Sequence, residues 1–309
     1  MNNYIMGILI LFIFSIILYV YNEVSKLKNK CLVLQNKYEI LDIIEPSETL
    51  TQEPISNIIF KSAYNCCCIG NLKNDYVDLC ALKNCYYNGV RVLDFQIFAL
   101  NNKPVVSASS LNENEYKEMY NYLSLSEVLL NVKQYFLNTY KDPNNKQVLF
   151  LNFRINSNNK DIYNEIATIL KNTFNQKAEI FNQTTLGKEI DTYTLDELKH
   201  KVIIMVDLNA SPNFRSLFYT TELSKVALIK FGLNELNHAI QENEVIYQAS
   251  GSLSSLYPKK QMNIRNYDYN RKGIQNHFHF IFMNYQLNDI WLDKYNKEFN
   301  NTSFIKKPS

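Results

Sequence analysis

Glycine and proline are scarce in this 309-residue chain, seven of each, and there is one tryptophan. Asn, Lys, Ile and Tyr are abundant instead, a bias that reads as AT-rich coding. Asn-rich stretches such as "NSNNKD" therefore carry little structural signal. The net charge is only +2, which provides no strong field for steering towards nucleic acid. No G-x-G-x-x-G run follows the first apolar segment, so a nucleotide-binding Rossmann domain is unsupported. None of the six cysteines forms a C-x-x-C pair, and three are adjacent (Cys66, Cys67, Cys68), which counts against a zinc site. With Cys31, Cys80 and Cys85 they are expected to be a reduced, cytosolic set with no metal. Asn182, Asn300 and Asn301 open formal glycosylation sequons, which an Asn-rich chain produces by chance. No internal repeat is visible.

Charge is missing altogether from Tyr4 to Tyr21, "YIMGILILFIFSIILYVY". Eighteen helical residues rise ~27 Å, close to the hydrocarbon thickness of a bilayer. Tyr4, Tyr19 and Tyr21 lie near its ends, where amphipathic rings suit the interface. There is no basic segment before the run and no small-residue cleavage site after Val20, so a retained single-pass anchor is expected over residues 1–22 rather than a signal peptide. Lys26, Lys28, Lys30 and Lys37 follow the run, which places the body in the cytoplasm by the positive-inside rule. Residues 23–54 read as a part-helical stalk, with Val24, Leu27, Leu34, Tyr38 and Leu41 on one side and Pro46 and Pro54 closing it.

Residues 55–309 alternate between short β-rich runs and helical segments. The runs are "NIIFKS" (57–62), "VRVLDFQIF" (90–98), "QVLFLNFRI" (147–155), "KVIIMVDL" (201–208), "KVALIKF" (225–231), "EVIYQAS" (244–250), "FHFIFMNY" (278–285) and "SFIKKP" (303–308). Between them, Val128, Leu129, Val132 and Phe136 share one helical face, and Ile162, Ile166, Ile169 and Leu170 another. Thr194 and Glu197 have capping-box spacing. Strand–helix alternation implies parallel strands joined by crossovers, and eight strands fit an α/β TIM (β/α)8 barrel.

Four ordered stretches resemble the barrel of phosphatidylinositol-specific phospholipase C. They are "AYNCCCIG" (63–70), "GVRVLDFQIF" with "PVVSAS" (89–98 and 104–109), "DELKHKVII" (196–204), and a C-terminal set of "LSSLYP", "RNYDYN", "FMNYQL" and "SFIKKP". The resemblance covers about residues 57–308 and implies a phospholipase C-like phosphodiesterase barrel preceded by one transmembrane helix. It also implies where the chemistry belongs. Tyr64 stands at the first catalytic histidine and Ala108 at the second, with Ser107 at the tyrosine before it. Asn65 is kept, Asp94 takes a glutamate position and Gln96 an aspartate position. Arg154 lies near the last acidic position, so the family's Ca²⁺ site is expected to be lost. Met205 and Asp207 replace phosphate-binding lysines, Ser255 replaces an arginine, and Tyr257, the ring that stacks on inositol, is kept.

Departures at the histidine positions matter because the family reaction needs a base for the inositol 2-hydroxyl and an acid for the leaving glycerol oxygen. Each such group is worth about 10²–10⁴ in rate. A phenol of pKa near ~10 is a poor base, and alanine offers no proton. The remaining imidazoles, His200, His238, His277 and His279, fall before strands or in helix or loop, away from the carboxyl ends where barrel chemistry occurs. The expectation is thus a membrane-anchored, catalytically silent relative with a binding or structural role. Its partners would be the membrane, a phosphoinositide headgroup and an unnamed protein, with no nucleic acid. The alternative is an active phosphoric diester hydrolase whose chemistry has moved to Asp94, Arg154, Asp207 and Lys230, and a third reading is a stalk that assembles oligomers.

Overall fold

The computed structural model describes residues 2–37, 44, 46–111, 116–137, 147–174, 179–182, 186–232, 240–242, 245–250 and 253–308. The described helices are α1 (Asn2–Lys37), α2 (Glu48–Thr51), α3 (Leu79–Tyr87), α4 (Leu125–Phe136), α5 (Lys160–Thr173), α6 (Arg215–Phe218), α7 (Leu223–Val226), α8 (Tyr269–Lys272) and α9 (Ile290–Glu298). The strands are β1 (Ile58–Ala63), β2 (Val92–Leu100), β3 (Lys103–Ser107), β4 (Leu123–Ser124), β5 (Leu149–Asn156), β6 (Ile180–Phe181) and β7 (Val202–Asp207). They continue with β8 (Ile229–Phe231), β9 (Ile240–Glu242), β10 (Val245–Ser250), β11 (Leu253–Pro258), β12 (Phe280–Met283) and β13 (Phe304–Lys306).

All of these strands belong to one sheet. The path β7-β5-β2-β1-β12-β11 is parallel throughout, and β8 adds to β7 in the same sense. Parallel strands buried on both faces need near-continuous apolar runs, and β1, β5 and β7 are buried along their whole length. The helices between them bury the expected faces: Val128, Leu129, Val132 and Phe136 on α4, and Ile162, Ile166 and Leu170 on α5, with Ile169 only partly covered.

The sheet is curled and mainly parallel, but it departs from a uniform eight-stranded barrel at three places. Within the run at residues 244–250, Val245–Ser250 form β10, which pairs antiparallel with β11. The segment "LSSLYP" is itself the parallel neighbour of β12. The last run, β13, pairs antiparallel with the start of β1, against the sense of that strand's parallel neighbours, although the helix α9 precedes it. Between β8 and β10 no ladder is present among the described residues, although the two lie side by side.

Inside the curl, a layer of phenylalanines fills the amino-terminal half. Phe60 packs on Phe150, Phe280 and Phe304 with centroids 4.8, 5.4 and 5.5 Å apart, and Phe231 reaches Phe280 at 6.3 Å. Each fully buried ring is worth roughly 1.5–3 kcal/mol of transfer free energy, so this plug carries much of the core. A side chain two residues further along each strand points to the same side. The next layers, towards the carboxyl ends, are therefore lined by the residues after Phe60 and Phe150 in steps of two.

Two expectations are corrected here. Cys31 and Cys80 form a disulfide, so the cysteines are not a wholly reduced set; Cys66, Cys67, Cys68 and Cys85 are free and buried. Thr194 and Glu197 exchange the reciprocal capping-box bonds, 2.8 and 3.2 Å, but only turns follow, not a helix.

Residues 4–34 of α1 are long and apolar enough to cross a membrane. The helix continues without a break into the region read as a stalk, and there it touches the body. Leu34 is buried against Ile69, Cys80 and Ala81, while Val24 is exposed. Tyr38 and Leu41 lie outside the described residues.

Candidate functional site

Strand alternation brings Asp94 on β2 and Asn152 and Arg154 on β5 into one polar layer above the phenylalanines. The parallel register sets Asp94 beside Asn152 and Gln96 beside Arg154. The Arg154 guanidinium grips both oxygens of Asp94, Nε to Oδ1 at 2.9 Å and Nη2 to Oδ2 at 2.7 Å. Nη2 also donates to Asn65 Oδ1 at 2.5 Å. Asn65 sits at positive φ (48°), which turns its backbone N–H onto Asp94 Oδ2 at 2.9 Å. Asn152 Nδ2 donates to Asp94 Oδ1 (2.8 Å) and to the Tyr257 hydroxyl (3.1 Å).

Rings close the layer from above. The Arg154 guanidinium lies 4.3 Å from the Tyr64 ring centre, a cation–π contact. Tyr64 meets Tyr257 edge-on at 5.9 Å, and Tyr257 stacks on Phe282 at 4.5 Å. Asp94 is fully buried and Arg154, Tyr64 and Tyr257 are each at most 3% exposed, so the layer is filled by protein side chains. The narrow gap beside Asn65, Cys66, Cys68 and Leu34 is too small for a water molecule. A cavity of about 560 Å³ exists at the opposite pole, between residues 44–53 and the α9–β13 segment.

Electrostatics follow from burial. Burial opposes the charge on Arg154, but Asp94 outweighs it and holds the guanidinium firmly protonated. Burial pushes the phenols of Tyr64 and Tyr257 up, out of reach of base catalysis at neutral pH. It also pushes the thiols of Cys66, Cys67 and Cys68 up, so the triple cysteine is packing material and not a set of nucleophiles.

Other positions named from sequence are placed as follows. Ala108 is fully buried, and its carbonyl accepts from Glu118 N at 2.9 Å. Ser107 Oγ donates to the Asn121 carbonyl at 3.0 Å. Gln96 donates to Asn156 Oδ1 and accepts from Ser109 N, so it is tied into the β2–β3 wall. Asp207 is the register partner of Arg154 on β7 and accepts from Asn209 N. Lys230, one step out of phase, carries its ammonium over the Tyr219 ring at 5.9 Å. Ser255 is fully buried on β11, two residues before Tyr257.

Two residues bonded to these positions escape a reading by motif. Asn152 is one, though the period of two from Arg154 points to it. Glu118 is the other: it gathers Ser109 Oγ, Ser110 N and Ser110 Oγ on one carboxylate oxygen and pairs with Lys73 at 3.0 Å.

The described imidazoles stand away from this layer. His200 and His277 are exposed at positive φ before β7 and β12. His279 also precedes β12; it accepts from Ser254 N through Nδ1 (3.1 Å) and donates from Nε2 to the Ser56 carbonyl (3.0 Å). His238 lies outside the described residues.

As arranged, the donors do not fit Ca²⁺. That ion takes 6–8 oxygens, and here both oxygens of Asp94 and the oxygen of Asn65 already accept from one guanidinium. Cys31, Asp78 and Cys80 lie within ligand distance of one another, but the two sulfurs are bonded to each other.

No protein-family model and no curated protein matches the chain. Among solved structures, it is similar to PLC21 of S. officinalis (TM-score 0.62, 11% identity, 84% of this chain and 37% of that one). It is also similar to PLC21 of L. pealei (TM-score 0.59, 10% identity, 84% of this chain and 38% of that one). The chain thus spans under two fifths of the length of these relatives. At that identity the likeness is one of architecture: the body of this chain has the phospholipase C-like phosphodiesterase fold.

Proposed function

We propose that the chain is a membrane-anchored phospholipase C-like domain that no longer cleaves phosphodiesters and serves a binding or structural role. The observation that carries this reading is the Arg154–Asp94 pair. A fork of fixed positive charge takes the carboxylate and the Asn65 oxygen that a cation would need. Around it, proton transfer has no suitable agent: Tyr64 and Ala108 occupy the histidine positions, and the described imidazoles sit at the other end of the strands.

In this reading α1 crosses the bilayer with residues 4–21 and holds the body against it. The lysines that follow favour a cytoplasmic body, whereas the Cys31–Cys80 disulfide favours an oxidising compartment. We place the body on the oxidising side, because a covalent bond between two elements outweighs a bias of a few surface cations. The ligand class inherited with the fold is a phosphoinositide headgroup, which would need Tyr64 and Tyr257 to part before it could enter.

The test is release of inositol phosphate from phosphatidylinositol vesicles by the purified full chain, with Ca²⁺ and with a chelator. The expected result is none above the protein-free blank in either condition. Sustained turnover would establish the relocated-hydrolase reading instead.

A further inference from the structure

Lys61 and Ser303 face each other across the β1–β13 ladder. The antiparallel register pairs Phe60 with Phe304, and the bond from Lys61 N to the Ser303 carbonyl (3.0 Å) carries it one step further. Residues opposed in this way put their side chains on one face of the sheet, about 5 Å apart at Cβ. That face is the outer one, because Phe60 points into the curl and its neighbour on the strand points away. Both side chains are fully buried, and neither Lys61 Nζ nor Ser303 Oγ has a hydrogen-bond partner among the described residues. A buried ammonium beside a buried hydroxyl, both unsatisfied, costs stability, and one acceptor would serve the two of them.

Phe299 joins this pair to the cavity between residues 44–53 and the α9–β13 segment. It caps α9, and Asn300 and Asn301, both at positive φ (44° and 61°), turn the chain sharply towards β13. Thr302 N closes the turn on the Phe299 carbonyl at 2.8 Å, which holds Phe299 close to Ser303. The Phe299 ring centre lies 5.5 Å from Lys61 Nζ, and the same residue lines the cavity of about 560 Å³. That volume is ordinary for a small-molecule site, for which about 300–1,000 Å³ is usual. Pro46, Leu50 and Ile305 supply apolar wall, and Ile305 shares the face of Lys61 and Ser303 through its pairing with Ile59. The charges on the wall are already met: Glu53 by Lys306, and Glu298 by the Tyr269 hydroxyl at 3.2 Å. Among the described residues, Lys61 is the cation beside the cavity left without an acceptor.

We infer that this cavity binds an amphipathic carboxylate, its alkyl chain lying along Pro46, Leu50 and Ile305 and its head group accepting from Lys61 Nζ and Ser303 Oγ once the Phe299 ring turns aside. Two donors on one face match the two oxygens of a carboxylate, and the bond from the ammonium is charge-assisted. An uncharged chain would leave the ammonium uncompensated, and a cationic one would be repelled by it. The site lies on the outer face of the sheet, away from the Arg154–Asp94 layer, and does not depend on whether that layer is silent.

The experiment is equilibrium dialysis of the full chain in dodecyl maltoside micelles at pH 6.5 against octanoate and, separately, octanol, with protein-free micelles as the blank. Octanoate should bind saturably, one per chain, and octanol more weakly by about tenfold or more, the worth of a hydrogen bond to a charged group. Lys61→Met should weaken octanoate binding by a similar factor while melting no lower than the parent, so that the loss is not one of folding. Lys306→Met, at the wall of the same cavity, should bind octanoate as the parent does. The preference of the parent for octanoate over octanol reads the charge whatever the stability of the variants. No saturable octanoate binding by the parent, octanol bound as tightly as octanoate, or octanoate binding kept in Lys61→Met and lost in Lys306→Met would each overturn the assignment.

Discussion

Arg154 and Asp94 face each other on neighbouring parallel strands, and the guanidinium spans both carboxylate oxygens in a layer closed to water. The pair is bidentate, and the Asn65 N–H and Asn152 amide add two further bonds to the same carboxylate. A buried charge of this kind is held by its partner, and removing one side strands the other. Arg154→Met is expected to cost about 3–5 kcal/mol in denaturant unfolding. The double variant Asp94→Leu/Arg154→Met is expected to recover most of that, since a well-packed apolar pair is often as stable as a buried ion pair. A double variant as damaged as the single one would show that the pair does more than satisfy itself.

Lys61 lies at the other extreme. It is fully buried on β1, its ammonium has no hydrogen-bond partner among the described residues, and the Phe299 ring lies 5.5 Å away. Burial pushes its pKa down to about 7 from the usual 10.5. The folded state therefore binds this proton less tightly than the unfolded chain does, and stability is lost as pH falls from about 10.5 to about 7. Lys61→Met should raise stability at neutral pH by roughly 1–4 kcal/mol and flatten its pH dependence above 7. A variant less stable than the parent at pH 7 would contradict this.

His279 gives the corresponding effect in acid. Burial, then the Lys307 ammonium 2.6 Å away, push its pKa down to about 4 from 6.5. The neutral ring is the one that bridges Ser254 and Ser56, so its contribution is whole above pH 6.5 and is lost as pH falls towards about 4. Thermal melts across that window should show a falling midpoint whose slope is reduced in His279→Gln. An unchanged slope between pH 6.5 and 4 would assign the loss there to other groups; the Glu118 carboxyl, pushed down to about 2, loses its contribution only below about pH 4.5.

The Cys31–Cys80 bond closes a loop with a sequence separation of 49. By the chain-entropy estimate this is worth about 4 kcal/mol to the attachment of α1. Cys31→Ser should leave the body folded but expose residues 23–34 to protease while leaving the sheet protected. Equal protection of that helix in parent and variant, both under oxidising conditions, would place its attachment in the non-covalent contacts of Glu23, Lys30 and Leu34.

Much of the fold was legible because parallel strands buried on both faces leave long apolar runs, and β1, β2, β5, β7 and β12 were all found this way. The antiparallel pair of β10 and β11 and the reversed β13 were not, because short runs look alike whichever way they point. Asp94, Asn65 and Arg154 could be named from position. That Arg154 turns inward is a matter of strand phase, and a slip of one residue would have reversed it. The link from Cys31 to Cys80 was invisible, since no spacing rule pairs cysteines that a helix and a loop bring together.

The most direct test of the central claim is a calorimetric titration of the full chain with Ca²⁺ at neutral pH. With Arg154 fixed across Asp94 and Asn65, no saturable heat is expected, and the unfolding midpoint should be the same with Ca²⁺ and with chelator. Stoichiometric Ca²⁺ binding that Asp94→Asn abolishes would mean that the guanidinium yields its place to the ion, and that the site is not silent.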